Sequence, residues 1–204
     1  LYADGLGIEN LKGLEYCTSL KKLYLYKNRI TDVTPLHGLT NLEKIYLSDN
    51  RIDDVTPLQG LTSLTYLDLD KNRLNDVTPL AGLASLTQLR LNDNRLNEVT
   101  PLQSLENLTS LGLAQNQIIN ITPLQGLVNL TAVNLSYNQI SDLTPLQNLT
   151  GLKFLYLTNN RLSDLFPLQD RKKLMQIEAS QNCMSALTAL LNLPELAVLV
   201  VDYN

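Results

Sequence analysis

An asparagine returns every 22 residues along this chain, at Asn28, Asn50, Asn72, Asn94, Asn116, Asn138, Asn160, Asn182 and Asn204, without one insertion or deletion. A strict period of that length means one supersecondary unit copied in tandem, and such a unit cannot cover its own apolar face. The copies must therefore stack in register. In Leu39 to Gly60, LTNLEKIYLSDNRIDDVTPLQG, the apolar frame around Asn50 is Leu42, Ile45, Leu47 and Ile52, and Leu61 to Gly82 restates it almost letter for letter.

Within a unit, Ile45 and Leu47 alternate with Lys44, Tyr46 and Ser48. That alternation is the period of a short strand with one buried and one open face. In-register stacking then aligns the strands into a parallel sheet that lines a concave wall. Ten strands, counting partial ones at each end, give a sheet of about 43 Å at about 4.8 Å per strand. The asparagine follows the strand, where the chain turns inward. Its amide has two donors and an acceptor for backbone groups that no strand neighbour reaches. The column reads as a structural spine rather than as a row of ligand contacts.

The return half of the unit is as regular: Thr34, Thr56, Thr78, Thr100, Thr122 and Thr144 each precede proline and then leucine. Threonine is expected to cap a helix start, with proline as its first residue. Gly38, Gly60, Gly82 and Gly126 follow so soon that about one turn fits, which predicts a short 3-10 segment and a thin convex side. The combined pattern Leu-x-x-Leu-x-Leu-x-x-Asn-x-Leu is the signature of a leucine-rich repeat. The expected fold is an α/β solenoid, a leucine-rich-repeat horseshoe with a parallel concave β-sheet and short 3-10 segments on the convex side. Residues 1–204 are expected to form one domain of about nine repeats.

Regularity weakens at both ends. The segment ADGLGIENLKGLEYCTSL puts Leu6 where the asparagine belongs and reads as an opening half-repeat. Far along the chain, Phe166 takes the threonine slot and Arg171 a core leucine slot, followed by Lys172 and Lys173, so a remodelled convex turn is expected there. The next unit loses its proline to Ala189 and is richer in helix formers. Val198 and Val200 occupy the face that is polar elsewhere, and are expected to be exposed unless a cap or further domain covers them. The chain starts at Leu1 in strand register with no visible signal peptide, as expected of an array excised from a longer protein, with its terminal caps missing. No run of about 18 apolar residues is present, so no membrane insertion by this chain is expected.

A net charge of −4 and a pI near 5.0 disfavour nucleic acid, whose phosphates need a basic stripe. Lys27, Asp49, Lys71 and Asp93 alternate in sign down one column and are read as pairing across neighbouring coils. Asp32, Asp54, Asp76 and Glu98 lie three residues beyond Arg29, Arg51, Arg73 and Arg95, which reads as a self-neutralised flank. From Gln103 to Gly151 only Glu106 and Asp142 are charged. The concave positions there turn small, at Ser110, Gly112, Ala114 and Ala132, which predicts a flat strip poor in polar groups. Cys17 and Cys183 lie about 36 Å apart along the solenoid, too far for a disulfide. Cys17 takes the slot of Leu39 and reads as a buried hydrophobe; Cys183 takes the slot of Arg161 and reads as exposed.

Catalysis finds little support. His37 falls on the convex turn with no nucleophile placed to use it, and two distant cysteines with one histidine make a poor zinc set. Asp68 and Asp70 share a strand face, but Lys71 and Arg90 stand close in the column map, so a neutralised cluster is favoured over a calcium site or a catalytic pair. No cofactor or metal is expected.

Of nine tyrosines, all but Tyr16 fall on concave or concave-edge positions: Tyr2, Tyr24, Tyr26, Tyr46, Tyr66, Tyr137, Tyr156 and Tyr203. The core does not require rings there, and tyrosine supplies contact area at low entropy cost. Tyr24, Tyr26, Tyr46 and Tyr66 lie on three consecutive strands beside Lys22 and Lys44, with Asp68 and Arg90 next to them. Tyr137, Phe154 and Tyr156 form a second group. These residues are the expected contacts with another protein. Cross-strand packing that only stiffens the sheet would also place rings here, but it does not explain why they avoid the convex face. Removing Tyr24, Tyr46 and Tyr66 is expected to leave stability nearly unchanged.

The repeats Leu-Thr-Asn-Leu, Asn-Arg-Ile and Asp-Val-Thr-Pro-Leu resemble the 22-residue class found in bacterial internalins and in regulatory subunits of eukaryotic protein phosphatase 1. The opening Ala3-Asp4-Gly5-Leu6-Gly7-Ile8, with Gly13-Leu14-Glu15-Tyr16 and the recurrent Thr-Pro-Leu, is more similar to internalins. That resemblance implies a surface or secreted bacterial protein whose inner face grips another protein. The alternatives are a cytoplasmic scaffold or phosphatase-regulator-like subunit, and the sensing array of a larger enzyme. Oligomeric state is left open.

Overall fold

The structure, a computed structural model, describes residues 1–204. Nine strands of three residues each follow one another: β1 (Lys22–Tyr24), β2 (Lys44–Tyr46), β3 (Tyr66–Asp68), β4 (Gln88–Arg90), β5 (Ser110–Gly112), β6 (Ala132–Asn134), β7 (Phe154–Tyr156), β8 (Gln176–Glu178) and β9 (Val198–Val200). They pair in parallel, in sequence order, in one sheet, with Lys22 opposite Lys44 and Tyr24 opposite Tyr46. A bridge between Tyr2 and Tyr24 extends the sheet by the tenth, partial strand expected at this end. The central residue of each strand from Leu23 to Ile177 points inward and is fully buried, while its two neighbours stay on the open face. Single 3-10 turns such as Thr34–Leu36 and Thr56–Leu58 return the chain along the convex side. One continuous core of 55 buried residues runs between them. The molecule is a leucine-rich-repeat horseshoe.

The asparagine spine is built as its amide chemistry demands. Asn94 Nδ2 donates to the carbonyls of Leu69, Leu91 and Asn92 at 3.0, 3.1 and 3.2 Å, and Oδ1 accepts the Leu74 N–H at 3.0 Å. Leu69 and Leu74 belong to the preceding coil, so each amide ties two coils together. Asn50, Asn72, Asn138 and Asn160 repeat the arrangement.

Four charge and cap readings need correction. The residue just before each asparagine is a left-handed corner: Lys27, Asp49, Lys71, Asp93, Gln115, Tyr137, Asn159, Gln181 and Tyr203 all have φ between 53° and 58°. The alternating charges of that column make no ion pair; the pairs present lie elsewhere. At a wet corner, holding two long side chains together returns little free energy.

Threonine does not cap the convex turn, and proline takes its second position rather than its first. The cap is the acid two residues before threonine. Asp32, Asp54, Asp76 and Asp142 each accept the N–H of Thr34, Thr56, Thr78 and Thr144 at 2.7 to 2.8 Å, an Asx-type bond. These carboxylates therefore do not neutralise the arginines as expected: Arg29 reaches Glu9 at 3.6 Å, while Arg51, Arg73 and Arg95 pair with no carboxylate.

The same bond explains why the repeat at Phe166 holds its shape. Asp164 accepts the N–H of Phe166 at 2.8 Å, because a backbone donor is all that this cap requires, and Phe166–Leu168 forms the usual turn. Thr188–Leu190 forms the turn with neither proline nor an acid two residues before it, where Ala186 stands. Arg171 substitutes for a core leucine by staying half-exposed and donating to the backbone carbonyls of Gln147 and Gln169. Cys17, expected to be buried, is exposed, because the turn Leu14–Tyr16 has a neighbouring turn on one side only. Cys183 is exposed as expected. Val198 is exposed and Val200 half-buried.

Candidate functional site

Two columns of side chains cover the open face of the sheet. One runs Lys22, Lys44, Tyr66, Gln88, Ser110; the other runs Tyr24, Tyr46, Asp68, Arg90, Gly112. Tyr66 thus stands opposite Lys44, not opposite Tyr46. Its ring nevertheless reaches across the columns and completes a stack. Centroids are 4.3 Å apart for Tyr2–Tyr24, 4.5 Å for Tyr24–Tyr46 and 4.5 Å for Tyr46–Tyr66, with interplanar angles of 11°, 10° and 29°. Diagonal neighbours on a sheet lie within reach of aromatic rings. Stacked in this way, Tyr24 and Tyr46 have both ring faces covered and present edges and hydroxyls, while Tyr2 at the end of the stack stays exposed. They also hold the first strands together. The expectation that their loss leaves stability untouched is therefore revised: each aromatic pair contributes about 0.5 to 1.5 kcal/mol.

Beside the ladder lies a charge cluster. Arg90 Nε and Nη2 donate to Asp70 Oδ2 at 2.8 and 2.6 Å, while Asp68 Oδ2 stays 4.0 Å from Nε. Asp68 Oδ1 instead accepts the Asp70 N–H at 3.0 Å. Both carboxylates are buried. Burial raises the Asp68 carboxyl above its ordinary value, with the Asp70 charge adding to it. Burial, then the Asp68 charge, pushes the Tyr66 phenol up to about 12. Lys71 is not part of this cluster; it occupies one of the left-handed corners.

Asn92 carries the network forward. Its N–H and Nδ2 donate to Asp70 Oδ1 at 2.7 and 2.9 Å, and its Oδ1 accepts the Ala114 N–H at 2.8 Å. A Cβ on Gly112 would come within 2.6 Å of Asn92 Nδ2. The bare glycine leaves room for that amide. The middle of the face is consequently hollow rather than flat: Arg90, Asn92, Ser110, Gly112, Ala132, Asn134 and Tyr156 border a groove of about 180 Å³.

The structure therefore brings together Tyr24, Tyr46 and Tyr66, with Lys22 and Lys44 alongside, and places Asp68 next to Arg90. Tyr26 lies exposed beyond β1, outside the stack. Tyr137 projects from a corner, and no ring pairing links it to Phe154 or Tyr156. Phe154 and Tyr156 stay on β7, where Tyr156 borders the groove. Asn92 and the clearance at Gly112 were missed from sequence. A polar residue two places beyond the strand was the available signal, shared by Asp70 and Asn92.

The family described as leucine rich repeats (2 copies) matches residues 18–60, 40–82, 106–148 and 128–170. No curated protein sequence matches the chain. Among solved structures, the internalin inlF of Listeria monocytogenes superposes with a TM-score of 0.88 at 31% identity, covering 100% of this chain and 67% of that one. Internalin inlC2 of the same organism gives 0.87 at 37%, covering 91% and 83%. The plant peptide hormone receptor RGFR1, solved in complex with RGF2, shares the fold at 22% identity with a TM-score of 0.85, covering 98% and 35%. No helix is long and apolar enough to cross a membrane. With the asparagine spine, the 3-10 turns and more than half of its length matched, the chain belongs to the leucine-rich-repeat family and carries a repeat array of the internalin type.

Proposed function

We propose that this chain is a protein-recognition module of a bacterial surface or secreted protein, and that it engages its partner on the concave face. The observation that carries this reading is the tyrosine ladder: four stacked rings on a sheet face that the core leaves free, flanked by Lys22 and Lys44. Such a surface is already ordered. Little side-chain entropy is lost when a partner covers it. Tyrosine and arginine beside charges of both signs make the composition of a protein interface rather than of a polyanion site. The likeness to the two Listeria internalins at 31% and 37% identity supports the surface or secreted setting.

The test is the triple variant Tyr24→Ser, Tyr46→Ser and Tyr66→Ser, measured against a protein partner that the unaltered chain binds. The expected loss is several kcal/mol of affinity, since hot-spot aromatics contribute about 2 kcal/mol or more each and do not add simply. Loss of the three stacked pairs should also cost about 1.5 to 4.5 kcal/mol of stability, so binding is measured where circular dichroism shows the variant folded. Unaltered affinity would move the site to the Phe154 and Tyr156 side of the groove.

A further inference from the structure

Lys22 and Lys44 form the one pair of like charges placed directly opposite each other in the sheet. Like charges in that position destabilise a sheet. Other cations near this face are matched from within: Arg90 by Asp70 at 2.6 Å, and Lys21 by Glu43 at 2.9 Å. Lys22 and Lys44 pair with no carboxylate. The nearby carboxylates are committed elsewhere: Glu43, held low first by Lys21 and to a lesser degree by Lys22 and Lys44, gives its ion pair to Lys21. Asp68 and Asp70 are buried in their own network, and Asp4 accepts the Tyr26 N–H at 2.8 Å. A chain whose net charge is −4 therefore keeps two ammonium groups side by side on its open face with no ion-pair partner of their own.

What borders them has the same preference. Stacking closes the ring faces of Tyr24 and Tyr46, so these rings offer edges and hydroxyls rather than faces on which a flat group could lie. An ammonium group is purely a donor, and a phenol donates readily to a carboxylate. Deepening the concave-face reading, on which this rests, we infer that the partner meets β1 and β2 with an acidic polypeptide segment, its aspartate or glutamate carboxylates bridging Lys22 and Lys44 and taking hydrogen bonds from the tyrosine hydroxyls. Docking then relieves a repulsion that the free protein carries.

The probe is a short peptide of alternating glutamate and glycine, titrated into the intact chain and followed by its amide NMR resonances. The controls are the same peptide with lysine in place of glutamate and a DNA oligonucleotide of equal charge. The acidic peptide should shift the amides of Lys22 to Tyr24 and Lys44 to Tyr46, the lysine peptide should leave them in place, and added salt should weaken the effect. The variant Lys22→Gln with Lys44→Gln, which keeps a polar side chain one atom shorter at both positions and removes their charge, should fold at least as stably and lose about tenfold in affinity for the acidic peptide. Unchanged affinity in that variant, shifts confined to the Arg51, Arg73 and Arg95 column, or equal or tighter binding of the oligonucleotide at β1 and β2 would each overturn the inference. If the acidic peptide fails while the tyrosine triple variant still abolishes partner binding, the concave site stands and the acidic class of partner falls. Peptide binding that survives alongside unaltered partner binding by the triple variant would separate the two in the other direction.

Discussion

At the scale of single residues, two small side chains have effects out of proportion to their size. Asn94 satisfies three carbonyls and one N–H with one amide. Truncation in Asn94→Ala leaves the buried Leu74 N–H without a partner and takes one donor each from the carbonyls of Leu69, Leu91 and Asn92, which keep Asn72, Asn116 and the Lys71 N–H; it should cost about 1 to 3 kcal/mol. Chemical denaturation reads this directly, and a midpoint equal to that of the unaltered chain would deny the spine its structural role. Gly112 acts by absence. Gly112→Ala drives a methyl against Asn92, whose bonds to Asp70 and Ala114 must then break or shift, and a loss of about 1 to 3 kcal/mol is expected. Because Asn92 links Asp70 to the next coil, the same variant should disturb the Arg90 side-chain resonance, which a change confined to strand β5 would leave alone. The asparagine was legible from its period. The glycine was not, since nothing in a repeat reports which neighbouring side chain fills the space above it.

At the scale of the turn, the cap is a carboxylate and its contribution depends on pH. Hydrogen bonding from Thr34, Thr78 and Thr144, led by the hydroxyl and followed by the N–H, holds Asp32, Asp76 and Asp142 below the ordinary value of 3.8. A folded-state value below the unfolded one stabilises the fold above about pH 3.8, and that stability is lost as pH falls through the lowered value. Buried Asp68 works in the opposite sense. Its raised value opposes folding while it is charged, and protonation relieves the cost. Asp76→Ala should cost about 1 kcal/mol at neutral pH. Asp76→Asn should cost much less and blunt the acid sensitivity, because Asn120 already makes the same bond to the Thr122 N–H at 2.9 Å. Urea midpoints for both variants at neutral and acidic pH test this; equal losses in the two would show that the bond itself is not what matters.

At the scale of the whole molecule, each coil touches only the coils on either side, so local stability is a sum of nearest-neighbour contacts. The first strands gain the tyrosine stack in addition to the leucine core. The last coil leaves Leu187, Leu191, Val198 and Leu199 exposed. Hydrogen exchange should therefore run fastest in Thr188–Leu190 and β9 and slowest in the central coils. Protection in β9 equal to that in β5 would contradict the gradient.

The sequence alone determined the solenoid, the inward leucines, the asparagine spine and the brevity of the convex turns, because each follows from one 22-residue period applied to a stack of near-identical backbones. Tertiary structure decided the partners of the side chains. It gave the threonine N–H to aspartate, left the corner charges and three arginines unpaired, carried Tyr66 across to Tyr46, and hollowed the face at Gly112. The physical reason is one of distance: a repeat places every Cα to within a coil spacing of about 5 Å, whereas a hydrogen bond, an ion pair or a ring stack is decided within about an ångström of side-chain placement.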